Sequence, residues 1–365
     1  MQLILPICAT GLLFITYCSS GQTTQTSKVN TSAAEAYFKI ADALKSGGDE
    51  NTTAWQALFG TPVYQMMIAG SAIDTVALKV DMRRVFASST SFSQSELSAK
   101  ELYHKSYKDN QSQLEKYIAV LHGPGIADSV KALLYPYLPV RLQSDLLFPA
   151  LFYLNYGAPE ATGYGGIVIN DLLHSYRIDN YKLGLLTAHE AFHSIVSVAF
   201  QQALKKNINY NAADFNLLYF LQNISEEGIA DLIDKPLLLK KGSPVYEEVK
   251  QLTTNDEILS IKYIRDIDSL LKLCLKSEQA LQQYNSFGDL ANTFGRNGGH
   301  IPGRFMGTII QKAGLLQKHI IAVEDPISFI LSYNNAATEN RGKYPVFSKE
   351  SIEYLQQLKA KYWQE

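Results

Sequence analysis

Between Thr187 and Ile195 the chain reads Thr-Ala-His189-Glu190-Ala-Phe-His193-Ser-Ile, a His-Glu-x-x-His pattern with no other charged residue among its immediate neighbours. Residues at i and i+4 share one face of a helix, so a helical segment here aims two imidazole nitrogens at one cation. Glu190 is rotated beside them, close enough to take a proton from water at that cation without being an obligatory ligand. The pattern therefore demands an apolar helix that presents three polar tips at one point.

Two imidazoles hold zinc too weakly, so a third ligand must come from elsewhere in the chain. One familiar extension would put Gly at position 196 and His at 199, but Val196 and Ala199 stand there, and no inverted His-x-x-Glu-His occurs. Downstream lies Asn223-Ile-Ser-Glu226-Glu227-Gly228-Ile-Ala-Asp231, at the centre of a helix predicted over Phe215 to Asp234. Glu227 is the better third ligand because Asp231 follows one turn later on the same face. From there Asp231 can accept the remaining N–H of a ligand His and fix its tautomer. Glu226, turned away by one position, is expected at the surface or facing substrate.

His189-Glu190-x-x-His193 followed by Glu227-Gly-Ile-Ala-Asp231 resembles the gluzincin group of zinc metallopeptidases. The resemblance implies one zinc per chain on His189, His193 and Glu227, Glu190 as general base, and Asp231 behind the ligands. It also implies a peptide or protein substrate cleaved by water held at the metal. A small sheet should precede the motif helix, with an edge strand for substrate backbone in Gly165-Gly166-Ile167-Val-Ile-Asn170, so that Gly166 and Ile167 contact substrate. In the Gly-rich run Gly298-Gly299-His300-Ile-Pro-Gly303-Arg304, His300 is the candidate donor to the reaction's oxyanion. Arg304 is the candidate for a substrate carboxylate. Two other readings stay open: an inactive zincin-like binding protein at the cell surface, and a zinc hydrolase acting on something other than peptides.

The rest of the chain is consistent with an α+β fold, mainly α, zincin-like with a small sheet before the motif helix and a helical C-terminal part. From Ala33 to about Asp145 apolar residues recur at helical spacing, as in Tyr37, Ile40, Ala41 and Leu44. Short β-branched and aromatic runs at Leu151–Tyr156 and Gly166–Asn170 predict two strands, and Asp171 can cap the segment after them. Helical periodicity then returns over 182–203, 215–234, 245–276, 302–313, 326–333 and 349–362. The predicted organisation is an N-terminal helical region over 33–145 and a zincin-like metallopeptidase region over 146–365.

The first residues differ from all others. Leu3 to Ile15 is an apolar run too short to span a bilayer, followed by small and polar residues, which predicts an export signal over 1–21. Ile15-Thr-Tyr-Cys18 also resembles a bacterial lipoprotein signal, in which Cys18 would carry the lipid anchor. A periplasmic, membrane-anchored or secreted protein is expected, with any membrane attachment through Cys18 alone. Residues 22–32 are polar enough to act as a tether. Formal net charge is −2 and no basic cluster stands out, so nucleic acid is not an expected partner. Cys274 sits among Leu270, Leu271 and Leu273 and is expected in the core.

Overall fold

The structure is a computed structural model that describes residues 28–48, 52–87, 93–158, 161–204, 212–295, 298–340 and 342–363. The export signal, Cys18 and most of the expected tether lie outside the described residues. Among these residues no helix is long and apolar enough to cross a membrane. The fold is α+β and mainly α, with one four-stranded sheet. By compactness the chain divides into two units, residues 1–132 with 149–191, and residues 133–148 with 192–365. This division is interleaved along the chain. It passes through the motif helix, Leu185–Ala203, between Ala191 and Phe192.

The first unit contains the sheet. Its strands are β1 (Val29–Asn30), β2 (Ala150–Leu154), β3 (Ala161–Tyr164) and β4 (Ile167–Asp171), in the order β1-β2-β4-β3. Two strands were legible in the sequence and four are present among the described residues, because β1 and β3 are too short to show a period. Val29 and Asn30 thus belong to the sheet rather than to a tether, pairing in parallel with Leu151 and Phe152. β2 runs parallel to β4, and β3 antiparallel to it. Gly165 and Gly166 make the β3–β4 turn with φ of 59° and 88°, the left-handed geometry that a two-residue hairpin needs and glycine supplies.

Buried polar groups fix the end of the sheet and the start of the motif helix. Asp171 caps the helix Leu172–Asp179, accepting from the His174 N–H at 2.8 Å, and it accepts the Tyr107 hydroxyl. Burial drives the Asp171 carboxyl up to about 7 against the pull of these hydrogen bonds. Asp179 accepts from Tyr117 at 2.6 Å and from the Gly184 N–H at 2.9 Å, just ahead of the motif helix. The Tyr153 and Thr187 hydroxyls meet at 2.9 Å, tying β2 to the first turn of that helix.

The second unit is helical, and its centre is a close crossing of two helices, Ala212–Leu238 and His300–Lys312. A Cβ on Gly228 would lie 2.6 Å from the Phe329 ring and 2.7 Å from the Gly303 carbonyl oxygen. Reciprocally, a Cβ on Gly303 would collide with the Ile224 carbonyl and one on Gly307 with the Gly228 carbonyl. Backbone therefore meets backbone across the crossing, which only glycine allows. Pro236 lies inside the first of these helices and has no N–H for the carbonyl of Leu232. The Tyr137 hydroxyl donates to that carbonyl at 3.0 Å instead. Cys274 is buried and free.

Candidate metal centre

His189 and His193 stand one turn apart on the motif helix, and both are buried. Glu227 projects from the helix Ala212–Leu238, and one ligand-type atom from each of the three lies within 4.8 Å of the others. The contact between His193 Nε2 and Glu227 Oε2 is 3.4 Å. Two donors each about 2 Å from a tetrahedral zinc are separated by about 3.3 Å, so this spacing suits the ion. Two imidazoles and one carboxylate with room for a fourth ligand are also the donor set of hydrolytic zinc. Glu190, between the two His residues, is partly accessible where they are buried.

The other nitrogen of His193 meets Glu226, not Asp231. His193 Nδ1 and Glu226 Oε2 are 3.2 Å apart, and Gln222 Nε2 donates to the second oxygen of Glu226 at 2.7 Å. Glu226 is buried, which corrects its expected place at the surface or facing substrate. The single-step rotation from Glu227 carries it to the other side of the same imidazole. An imidazole that donates from Nδ1 to a carboxylate is locked in the tautomer that offers Nε2 to a metal.

Asp231 lies one turn beyond Glu227 and is buried. Its carboxylate oxygens are both 3.3 Å from His300 Nδ1, and one accepts from Lys235 Nζ at 3.0 Å. It also groups with His189 and Asp234, one ligand-type atom from each within 4.8 Å. Lys235 Nζ reaches Asp234 at 2.8 Å as well. Burial works against the charge of Lys235, but Asp231 and Asp234 outweigh it and hold the ammonium well above the ordinary lysine range.

His300 begins its helix behind Gly299, whose φ of 101° turns the chain into the first turn. Asn223 donates to the neighbouring Gly298 carbonyl, which pins this turn to the helix carrying Glu227. His300 Nδ1 is 2.9 Å from Glu227 Oε2. Burial lowers its pKa, yet Glu227 and Asp231 prevail and push it up to about 10. The ring is thus an imidazolium when only these carboxylates face it, with Nε2–H as its second donor.

Gly166 and Ile167 lack the edge position expected of them, and Arg304 is paired. Ile167 is not on an edge, since β4 pairs with β2 on one side and β3 on the other, and Gly166 is a turn residue. The edge strands are β1 and β3, and β3 is the one that pairs with β4. Arg304 does not present an uncommitted charge either: its Nη2 donates to Asp256 at 2.7 Å. The sequence pattern also gave no role to Gly163, Glu226 or Lys235 in the forms they take here. A Cβ on Gly163 would overlap the Glu190 carbonyl oxygen, so β3 runs against the backbone of the motif helix. Only the one-turn spacing of Gly303 and Gly307 was a usable signal of close packing.

Carboxylates outnumber cations around the centre. Glu226, Glu227, Asp231, Asp234 and Asp256 face Lys235, Arg304 and the His300 imidazolium, so a divalent cation would offset an excess of negative charge. The donor set, its spacing and this imbalance all fit zinc.

Fold and site together define a mainly helical protein in which two imidazoles and one carboxylate form a group that could hold a metal ion. Residues 55–342 match the family described as "Putative zinc dependent peptidase (DUF5700)", and the chain belongs to that family. No curated protein and no solved structure matches it.

Proposed function

We propose that this protein is a zinc peptidase that hydrolyses peptide bonds at the centre formed by His189, His193 and Glu227. The observation that carries this reading is the convergence of those three donors within 4.8 Å beside a partly accessible Glu190. When bound, one zinc per chain supplies Lewis-acid polarisation of a carbonyl and lowers the pKa of water in the fourth position towards neutrality. Glu190 takes a proton from the attacking water at its carboxylate and passes it to the leaving amine nitrogen. His300 donates from Nε2–H to the oxygen that gains negative charge, its ring held through Nδ1 by Glu227 and Asp231.

Substrate backbone is assigned to the outer edge of β3, Ala161–Tyr164, in place of Gly166 and Ile167. An edge strand turns backbone N–H and C=O groups away from its own sheet, where an extended peptide can pair with them, and Gly163 brings this edge against Glu190. The apolar run from Leu3 to Ile15 supports the reading of an exported protein, with Cys18 as the anchor if lipid is attached.

The decisive experiment is metal analysis of the purified protein, followed by a mixed peptide library with and without a chelator. Zinc at one per chain with chelator-sensitive cleavage is expected. Bound zinc with intact peptides would overturn the peptidase assignment in favour of a binding protein. Turnover of esters or epoxides alone would point to a different zinc hydrolase.

A further inference from the structure

A continuous chain of polar contacts leads from Lys235 to the metal centre. Lys235 Nζ meets Asp231 Oδ1 at 3.0 Å, Asp231 meets His300 Nδ1 at 3.3 Å, and His300 Nδ1 meets Glu227 Oε2 at 2.9 Å. Glu227 Oε2 then lies 3.4 Å from His193 Nε2. Lys235 is held on its other side by Asp234 at 2.8 Å, and its side chain is 21% exposed while both aspartates are buried. Asp231, Asp234 and Lys235 share one turn of a single helix, so their relative positions are set by the backbone. That turn is where Pro236 interrupts the helical hydrogen bonds and Tyr137 takes up the Leu232 carbonyl. Its phase is therefore fixed from outside the helix.

Resting on the peptidase reading, we infer that Lys235 is a positioning residue of the metal centre: by gripping Asp231 and Asp234 it orients the carboxylate that aligns His300 and Glu227. It touches neither substrate nor metal. The physical reason is geometric. Two anionic side chains one turn apart repel each other unless a cation stands between them, and a swung Asp231 no longer defines the plane of the His300 ring. An ammonium with three donors can satisfy both carboxylates at once.

The test uses the full-length protein with Lys235→Met, which keeps the length of the stem and removes the charge. Zinc affinity is read by competition with a chromophoric chelator, and ligand geometry by the visible absorption of the cobalt(II)-substituted protein. The expected result is zinc binding about 10- to 100-fold weaker with displaced cobalt bands, in a protein whose circular dichroism matches the wild type. Wild-type affinity and an unchanged cobalt spectrum in folded Lys235→Met would overturn the inference. Should that variant not fold, Lys235→Gln, which also removes the charge, takes its place: displaced cobalt bands support the inference and unchanged bands overturn it. Neither readout requires turnover, so a zinc-loaded but inert wild type would overturn the peptidase reading alone.

Discussion

Gly163 of β3 stands directly against the backbone carbonyl of Glu190, with no room for a Cβ between them. The strand edge beside the motif helix is thereby brought to the residue proposed to move protons. Because the obstructing atom is backbone, no side chain can turn away to make space.

Gly163→Ala is accordingly expected to destabilise the fold by about 1–3 kcal/mol, the usual cost of forcing a methyl into packed structure. A lowered thermal midpoint with reduced kcat/KM is the expected outcome. An unchanged midpoint would show that β3 and the helix are not in this contact.

Glu190→Gln should retain zinc and lose turnover, since the amide cannot accept a proton but keeps the volume of the carboxyl. His193→Ala and Glu227→Ala should instead lose the metal. Metal content and peptide cleavage measured on the same samples separate the two roles, and a fully active Glu190→Gln protein would rule out the general base.

Glu226 tests the corrected ligand support. Its carboxylate holds His193 Nδ1 at 3.2 Å, so Glu226→Ala should weaken zinc about 10- to 100-fold. Chelator competition measures this directly. Equal affinity in the variant would show that the Glu226 carboxylate does not support His193 as a ligand.

His319 supplies a pH prediction away from the centre. Its ring packs against Phe329 with centroids 5.1 Å apart and is 1% exposed, and neither ring nitrogen has a hydrogen-bond partner among the described residues. Burial lowers its pKa to about 4, only partly offset by Asp325. The folded protein then resists a proton that the unfolded chain accepts below about 6.5. The stability that His319 contributes is full above that value and falls as pH drops towards 4, by about 3 kcal/mol in all. His319→Leu removes this dependence. Asp171 and Asp179, with pKa values raised to about 7 and 6, act in the opposite sense, stabilising the fold as pH falls. The difference in thermal midpoint between variant and wild type, followed from pH 7 to 4, should therefore move in favour of the variant. A constant difference would contradict the prediction.

Much of the site was readable from residue spacing. The imidazole pair sits one helical turn apart because 3.6 residues complete a turn, a property of the backbone alone. The helix Lys349–Tyr362 matches its periodic segment end to end. The predicted segment 245–276 instead breaks into Tyr246–Thr253 and Asp256–Lys276, where Thr254 and Asn255 intervene. Strand order was not readable because β1 and β3 are short, and a strand's place in a sheet depends on partners distant in sequence. Glu226 and Glu227 are chemically alike, so composition could not decide which carboxylate meets which nitrogen.

Local chemistry in the chain thus determined the helical motif, the apolar periods around it and the supply of carboxylates one or two turns apart. Tertiary structure alone decided that Glu226 meets His193, that Asp231 meets His300 and Lys235, and that β3 lies at an edge of the sheet. The reason is that periodicity specifies only the face of a helix on which a side chain lies. The crossing at Gly228, Gly303 and Gly307 sets the distance and rotation between two helices, and those quantities determine which polar tips meet.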